Sequence, residues 1–280
     1  NPLTFIIFGI TSNLAQRYTL PALYDMEQKN LLPKDLVILG NARRPMDRDE
    51  LKKYILKSLL AENKHHKHKI EKKVFEKLFS KINYIDGNLD DHRFYPRLEE
   101  TIQNLKKFET DNRIYYLATY PDLYKNIFEN LKKNRMSIQK NGYKRILIEK
   151  PIGQDLKSYK KINTLLLKYF SEDQIYRIDH YLGKEVLQNI LYLRFGNNFL
   201  ESLLNKDCID HIQITAFEDY GIGERGAYFD NYGILKDVGQ NHQLQMLSFI
   251  TIDRPEKFTN KEITLQRIKI LRNNFKLEYK

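Results

Sequence analysis

Apolar residues gather in four short runs, LTFIIFG (3–9), DLVILG (35–40), RIYYLA (113–118) and RILIEK (145–150). They are continuous rather than strictly alternating, the pattern of strands buried on both faces. The stretches between them, residues 13–28, 48–61, 91–107 and 121–134, place apolar positions at helical spacing and have lengths suited to crossover helices. Strands alternating with such helices predict a doubly wound α/β fold, a parallel sheet covered on both sides.

Beyond about residue 180 the pattern changes. A helix near 184–193, a β-rich run DHIQITAF (210–217) inside a strand expected at 208–217, a glycine-punctuated loop and a helical stretch over 228–250 read as the first part of an α+β domain. The expected division is residues 1–178, a dinucleotide-binding domain, and residues 179–280, a partial α+β substrate domain. A length of 280 residues suits two cores better than one.

Hydrophobic residues at 41% and charged residues at 30% describe a soluble globular chain. No apolar run approaches the roughly 18 residues of a membrane helix, so no membrane span is expected. The chain enters its first apolar run without a basic leader or cleavage site, and its one cysteine, Cys208, excludes an internal disulfide; both suit the cytoplasm. A first residue of Asn leaves a fragment whose leader lies elsewhere open.

The net charge of +11 admits nucleic acid, an anionic membrane or a small anionic substrate. Lysines are spread along the whole chain and no nucleic-acid motif accompanies them, so most of the charge reads as solvated faces and no nucleic-acid partner is expected. The segment ENKHHKHKIEKK (62–73) holds three histidines, but no carboxylate or cysteine completes a metal set, and none is expected to bind metal.

Chemistry enters at the end of the first run. IIFGITSNLAQRYTLPALY puts Gly9 where a strand passes into a helix beginning near Asn13, a geometry that aims backbone amides and the helix dipole at an anion. Gly9 suits the tight turn and Ala15 a close helix, but Ser12 stands where a second glycine is usual, so an ordinary strand-to-helix turn stays open. Arg43 and Arg44 follow the second run in ILGNARR, where arginine can clamp a 2′-phosphate and an acid would bind a free ribose hydroxyl; ordinary surface arginines are the other reading.

Three longer segments, RILIEKPIGQDL, IYRIDHYLGKEVLQNI and YFDNYGILKDVGQNHQLQML, follow that turn in order. Together they resemble the glucose-6-phosphate dehydrogenase family over residues 3 to about 272. The resemblance implies a Rossmann-like dinucleotide domain and hydride transfer from C1 of glucose 6-phosphate to NADP, giving 6-phosphogluconolactone in the pentose phosphate pathway. By the same resemblance His242 is the general base on the C1 hydroxyl and Asp179 the carboxylate that orients it. His180, Tyr181 and Lys184 bind the 6-phosphate, for which an imidazole, a hydroxyl and a cation are suitable donors. Lys150 reaches both sugar and cofactor, its bond to Pro151 expected to be cis, and Glu218 and Asp237 hold sugar hydroxyls. Gly9, Thr11, Ser12 and Arg43 join Lys150 in holding NADP.

The chain departs from the family pattern at several points. Tyr18 replaces a lysine near the substrate, Ser12 a glycine and Asn13 an aspartate, and Gly239 lies inside the helix of His242, where glycine costs about 1 kcal/mol relative to alanine. Ser12 and Asn13 are also good helix caps. Family members continue well past the point where this chain ends, so the homo-oligomer usual in the family is doubtful here. The alternative is a degraded, non-catalytic remnant that still binds nucleotide or sugar phosphate.

Overall fold

A computed structural model describes residues 2–66, 70–106, 108–150, 152–153, 155–217, 221 and 226–273. The chain divides into two compact units, residues 1–178 and 179–280.

The first unit is built on six strands: β1 (Leu3–Phe8), β2 (Leu36–Ala42), β3 (Ile82–Asp86), β4 (Arg113–Leu117), β5 (Lys144–Glu149) and β6 (Ile175–Ile178). All neighbours run parallel in the order β3-β2-β1-β4-β5-β6. The crossovers are helical: α1 (Leu20–Gln28) led in by a π turn at Ala15–Thr19, α2 (Arg48–His66), α3 (Lys72–Phe79), α4 (Phe94–Leu105), α5 (Tyr124–Lys133) and α6 (Leu156–Tyr169). The order reverses between β1 and β4, and in such sheets the crevice outside the strand ends at that reversal is where ligands sit.

Two apolar layers sandwich the sheet. Ile6, Phe8, Leu39, Tyr115 and Ile146 face α4 and α5 residues such as Leu98 and Phe128. Ile7, Ile38 and Tyr116 lie in the other cluster with Leu20, Ile55 and Leu78. The doubly wound sheet expected from the strand and helix alternation is therefore present. β3 and β6, at the two sheet edges, are additions to the four strands read from the sequence.

At the start of the strands the sheet carries a buried charge network. Arg113 pairs with Glu99 and with Asp111, its Nε 2.6 Å from Asp111 Oδ1, and Lys144 pairs with Asp111. Arg113 and Lys144 are partners in register across β4 and β5. Burial alone would raise the carboxyls of Glu99 and Asp111, but hydrogen bonds and charge from Arg113, with Lys144 at Asp111, hold both below their ordinary values. Burial and the nearby Arg113 cation bring the Lys144 ammonium down to about 8.

The second unit is helical in its described residues: α7 (Glu185–Phe195), α8 (Asn198–Leu203), α9 (Gly226–Ile234), a π-wound segment Leu235–Gln243 running straight into α10 (Leu244–Thr251), and α11 (Asn260–Asn273). The strand expected at 208–217 is not formed. Residues 210–217 are mostly exposed and have no regular structure. An isolated strand gains no ladder hydrogen bonds, and no strand lies beside this run among the described residues of its unit, so its alternating pattern has nothing to pair with.

Candidate active site

The turn after β1 is set by backbone needs. Gly9 has φ +90°, and a Cβ on it would lie 2.6 Å from the carbonyl oxygen of Ala118, just past β4. Only glycine meets both conditions without strain. The amides of Gly9 and Ile10 donate to the Asn41 carbonyl at 3.0 and 2.9 Å, and the Asn41 side chain donates to the carbonyls of Ile85 and Gly87. The turn is thereby tied to β2 and the end of β3.

Ser12 Oγ accepts the Ala15 amide at 3.1 Å. Its departure from glycine thus serves as a helix cap. The Thr11 carbonyl accepts from Gln16 Nε2 at 2.9 Å and from the Tyr54 hydroxyl at 3.2 Å. Neither Gln16 nor Tyr54 stood out in the sequence, because glutamine and tyrosine on crossover helices carry no pattern of their own.

Arg43 follows Ala42, the last residue of β2, at the same edge of the sheet as Gly9; it is exposed and joins no ion pair among the described residues. Arg44 instead pairs with Glu50 at 3.3 Å. Lys150 follows β5 at that edge too and is half-buried; the peptide bond to Pro151 lies outside the described residues. Tyr18, at 64% exposure, is a solvent-facing residue of the π turn before α1.

The second unit brings together residues that stand 63 positions apart. Asp179 caps the short 3-10 turn His180–Gly183, its Oδ1 accepting the Tyr181 amide at 3.0 Å. The same oxygen lies 2.7 Å from Nδ1 of His242. Burial would raise the Asp179 carboxyl, but the hydrogen bond and charge of His242, the Tyr181 amide and the charge of His180 hold it below its ordinary value. An ionised carboxylate only accepts, so His242 Nδ1 presents a proton to it, and Nε2 is the ring nitrogen that the carboxylate does not engage.

His242 is 2% exposed, and what covers it is largely polar aromatic. The Tyr181 ring stacks on the imidazole at 3.9 Å, and the His180 ring meets it edge-on at 4.8 Å. Lys184 Nζ lies 3.7 Å above the outer ring of that stack, Tyr181. Donor atoms of Asp179, His180 and His242 fall within 4.8 Å of one another.

Asp237 is half-buried in the π-wound segment five residues before His242, a spacing that i→i+5 winding brings to one side of the helix. Glu218 lies outside the described residues, as do the side chains of His65, His66 and His68. The described residues therefore gather Asp179, His180, Tyr181, Lys184 and His242 in the second unit. Gly9, Thr11, Ser12, Arg43 and Lys150 stand at one sheet edge in the first.

No helix of the described residues is long and apolar enough to cross a membrane. Family models for the NAD binding domain and the C-terminal domain of glucose-6-phosphate dehydrogenase match residues 6–189 and 191–279. They meet inside α7, about eleven residues after the boundary between the compact units. The glucose-6-phosphate 1-dehydrogenases of Chlamydia muridarum and Caenorhabditis elegans are 36% and 38% identical to this chain over 97% of its length. The matches cover 54% and 51% of those relatives, so the chain spans about half their length.

A solved glucose-6-phosphate dehydrogenase in complex with its substrate glucose-6-phosphate superimposes with a TM-score of 0.87 at 33% identity, over 97% of this chain and 56% of that one. The enzyme from Mycobacterium avium gives 0.86 at 33% identity, with the same shares covered. With the two family models together covering this chain nearly from end to end, the chain belongs to the glucose-6-phosphate dehydrogenase family.

Proposed function

We propose that the protein carrying this chain oxidises glucose 6-phosphate at C1 with NADP, giving 6-phosphogluconolactone for the pentose phosphate route. The observation that carries the reading is the 2.7 Å contact between Asp179 and a covered His242. A carboxylate on Nδ1 leaves Nε2 as a base suited to the C1 hydroxyl near neutral pH, and it steadies the imidazolium once the proton arrives.

His180, Tyr181 and Lys184 offer the donors a phosphate dianion needs. Two of them also cover His242. Asp237 and Glu218 would hold ring hydroxyls, fixing C1 for the loss of its hydride.

For the cofactor, the first unit offers a turn in which Gly9 leaves no room for a side chain, the amides of a helix start, and Arg43 at the tip of β2 for a 2′-phosphate. Bound there, NADP supplies the hydride acceptor. Lys150 would orient sugar and nicotinamide together. A cytoplasmic setting fits the single, exposed Cys208.

The test supplies NADP and glucose 6-phosphate to the full-length protein and follows reduced nicotinamide. Turnover no greater than that of a folded His242→Ala protein would sink the dehydrogenase reading. One observation favours a second reading, a binding remnant: the outward-facing Tyr18 where the family pattern has lysine. Tyr18→Lys separates the two, since a steep gain in sugar-phosphate affinity without turnover favours the remnant.

A further inference from the structure

His242 sits on a helix that few aliphatic contacts secure. Among the described residues of the second unit only Leu187, Phe195 and Ile252 are buried hydrophobics. The helix is gripped instead by arginines. Arg194 donates to the carbonyl of Ile252 at 2.8 Å, just past the end of α10. Arg267, half-buried on α11, holds the flank: its Nε donates to Ser248 Oγ at 3.0 Å and its Nη2 to Gln245 Oε1, while the guanidinium lies 4.2 Å above the Phe249 ring.

The spacing gives those contacts a direction. Gln245 and Phe249 follow His242 by three and seven positions and so continue the helix face that bears the imidazole, while Ser248 stands one turn beyond Gln245 on its flank. The bonding is also complete in kind. The fully buried Ser248 hydroxyl gives its proton to the Gln245 carbonyl at 2.6 Å and keeps a lone pair for Arg267. A planar guanidinium can serve two acceptors in fixed geometry, which an ammonium cannot.

We propose that Arg267 is a positioning residue for the Asp179–His242 dyad: by holding Gln245 and Ser248 it sets the rotation of the helix that keeps the imidazole on its carboxylate. Burial lowers the affinity of this guanidinium for its proton, and the Asp179 carboxylate works in the opposite sense. The brace and the carboxylate are therefore coupled through space as well as through the helix. The effect on turnover rests on the dehydrogenase reading; the effect on the dyad does not.

The experiment follows the low-field NMR signal of the His242 Nδ1 proton in the full-length protein, assigned by its absence in His242→Gln. Arg267→Met is expected to broaden the signal beyond detection, and Arg267→Lys to recover it only in part. Should Arg267→Met fail to fold by circular dichroism, the double variant Gln245→Ala, Ser248→Ala decides, because it removes both acceptors and keeps the cation. With NADP and glucose 6-phosphate, Arg267→Met should lower kcat about tenfold to a hundredfold while KM moves less than about twofold, the sign of a misplaced base rather than a lost binding group. An unchanged proton signal in Arg267→Met and in the double variant overturns the proposal. So does a wild-type protein that lacks the signal. A signal that responds as expected in a protein without turnover upholds the brace and removes the dehydrogenase reading.

Discussion

The two units hold their functional residues by different means. In the first, Gly9 stands at the end of a strand whose neighbours are sealed by apolar side chains on both faces, and the turn inherits the rigidity of the sheet. In the second, large apolar groups such as Val186, Tyr192, Leu235 and Phe217, the last at 93% exposure, face outward, and the dyad is kept in place by hydrogen bonds and arginines. The turn at Gly9 is thus specified by packing that fills many positions, whereas the dyad depends on a handful of polar contacts. Damage should be spread thinly across the first unit and concentrated in the second.

The strongest way to break this contrast is Asp179→Asn. It preserves shape while removing the charge that orients His242, and turnover should fall by about a hundredfold or more with the thermal midpoint little changed. A fall in stability equal to that of a core truncation would show that the dyad is a structural element.

Arg113→Met should act in the opposite way. It leaves Glu99 and Asp111 partly buried without their shared cation, at a cost of about 3–5 kcal/mol in denaturant unfolding. The sugar-phosphate KM should stay within about twofold, since that network lies at the strand starts.

Acid probes the same network more gently. Glu99 and Asp111 are held below their ordinary values of 4.5 and 3.8, so near those pH values the unfolded chain binds more protons than the folded one. Their contribution is complete above about pH 4.5 and is lost as pH falls through the lowered values. Thermal scans at pH 7, 5 and 3.5 should show this decline, and Arg113→Met should flatten it. The smallest effect is expected at Leu235→Ser on the exposed side of the second unit, within about 0.5 kcal/mol.

Much of the first unit was legible because β1, β2, β4 and β5 are buried runs whose composition allows little else. β3 escaped because Asn83 and Asp86 break its apolar run, and only Ile82 and Ile85 are buried. β6 escaped because an edge strand of four residues, IYRI, is shorter than any reliable period. The run at 210–217 misled for the complementary reason: a strand pattern is a statement about partners, and no strand stands beside it among the described residues of its unit.

The site was legible in another sense. Nothing in the spacing of Asp179 and His242 brings them together across 63 residues; the family resemblance named them, and the fold juxtaposes them. Arg267 had no such help. In NKEITLQRIKILRN it reads as one more cation on a solvated helix.

The winding around His242 reverses a familiar rule of protein engineering. In ordinary α-helical winding, five residues would set Asp237 and His242 roughly 140° apart; the wider turns of Leu235–Gln243 close most of that angle. Gly239 sits in the middle, where an added methyl would meet little beyond the movable tip of Leu235. Gly239→Ala is therefore expected to tighten the coil and raise the midpoint of a thermal scan, yet turn the Asp237 and His242 side chains away from one another. On the dehydrogenase reading, a sturdier helix at this spot makes a poorer catalyst.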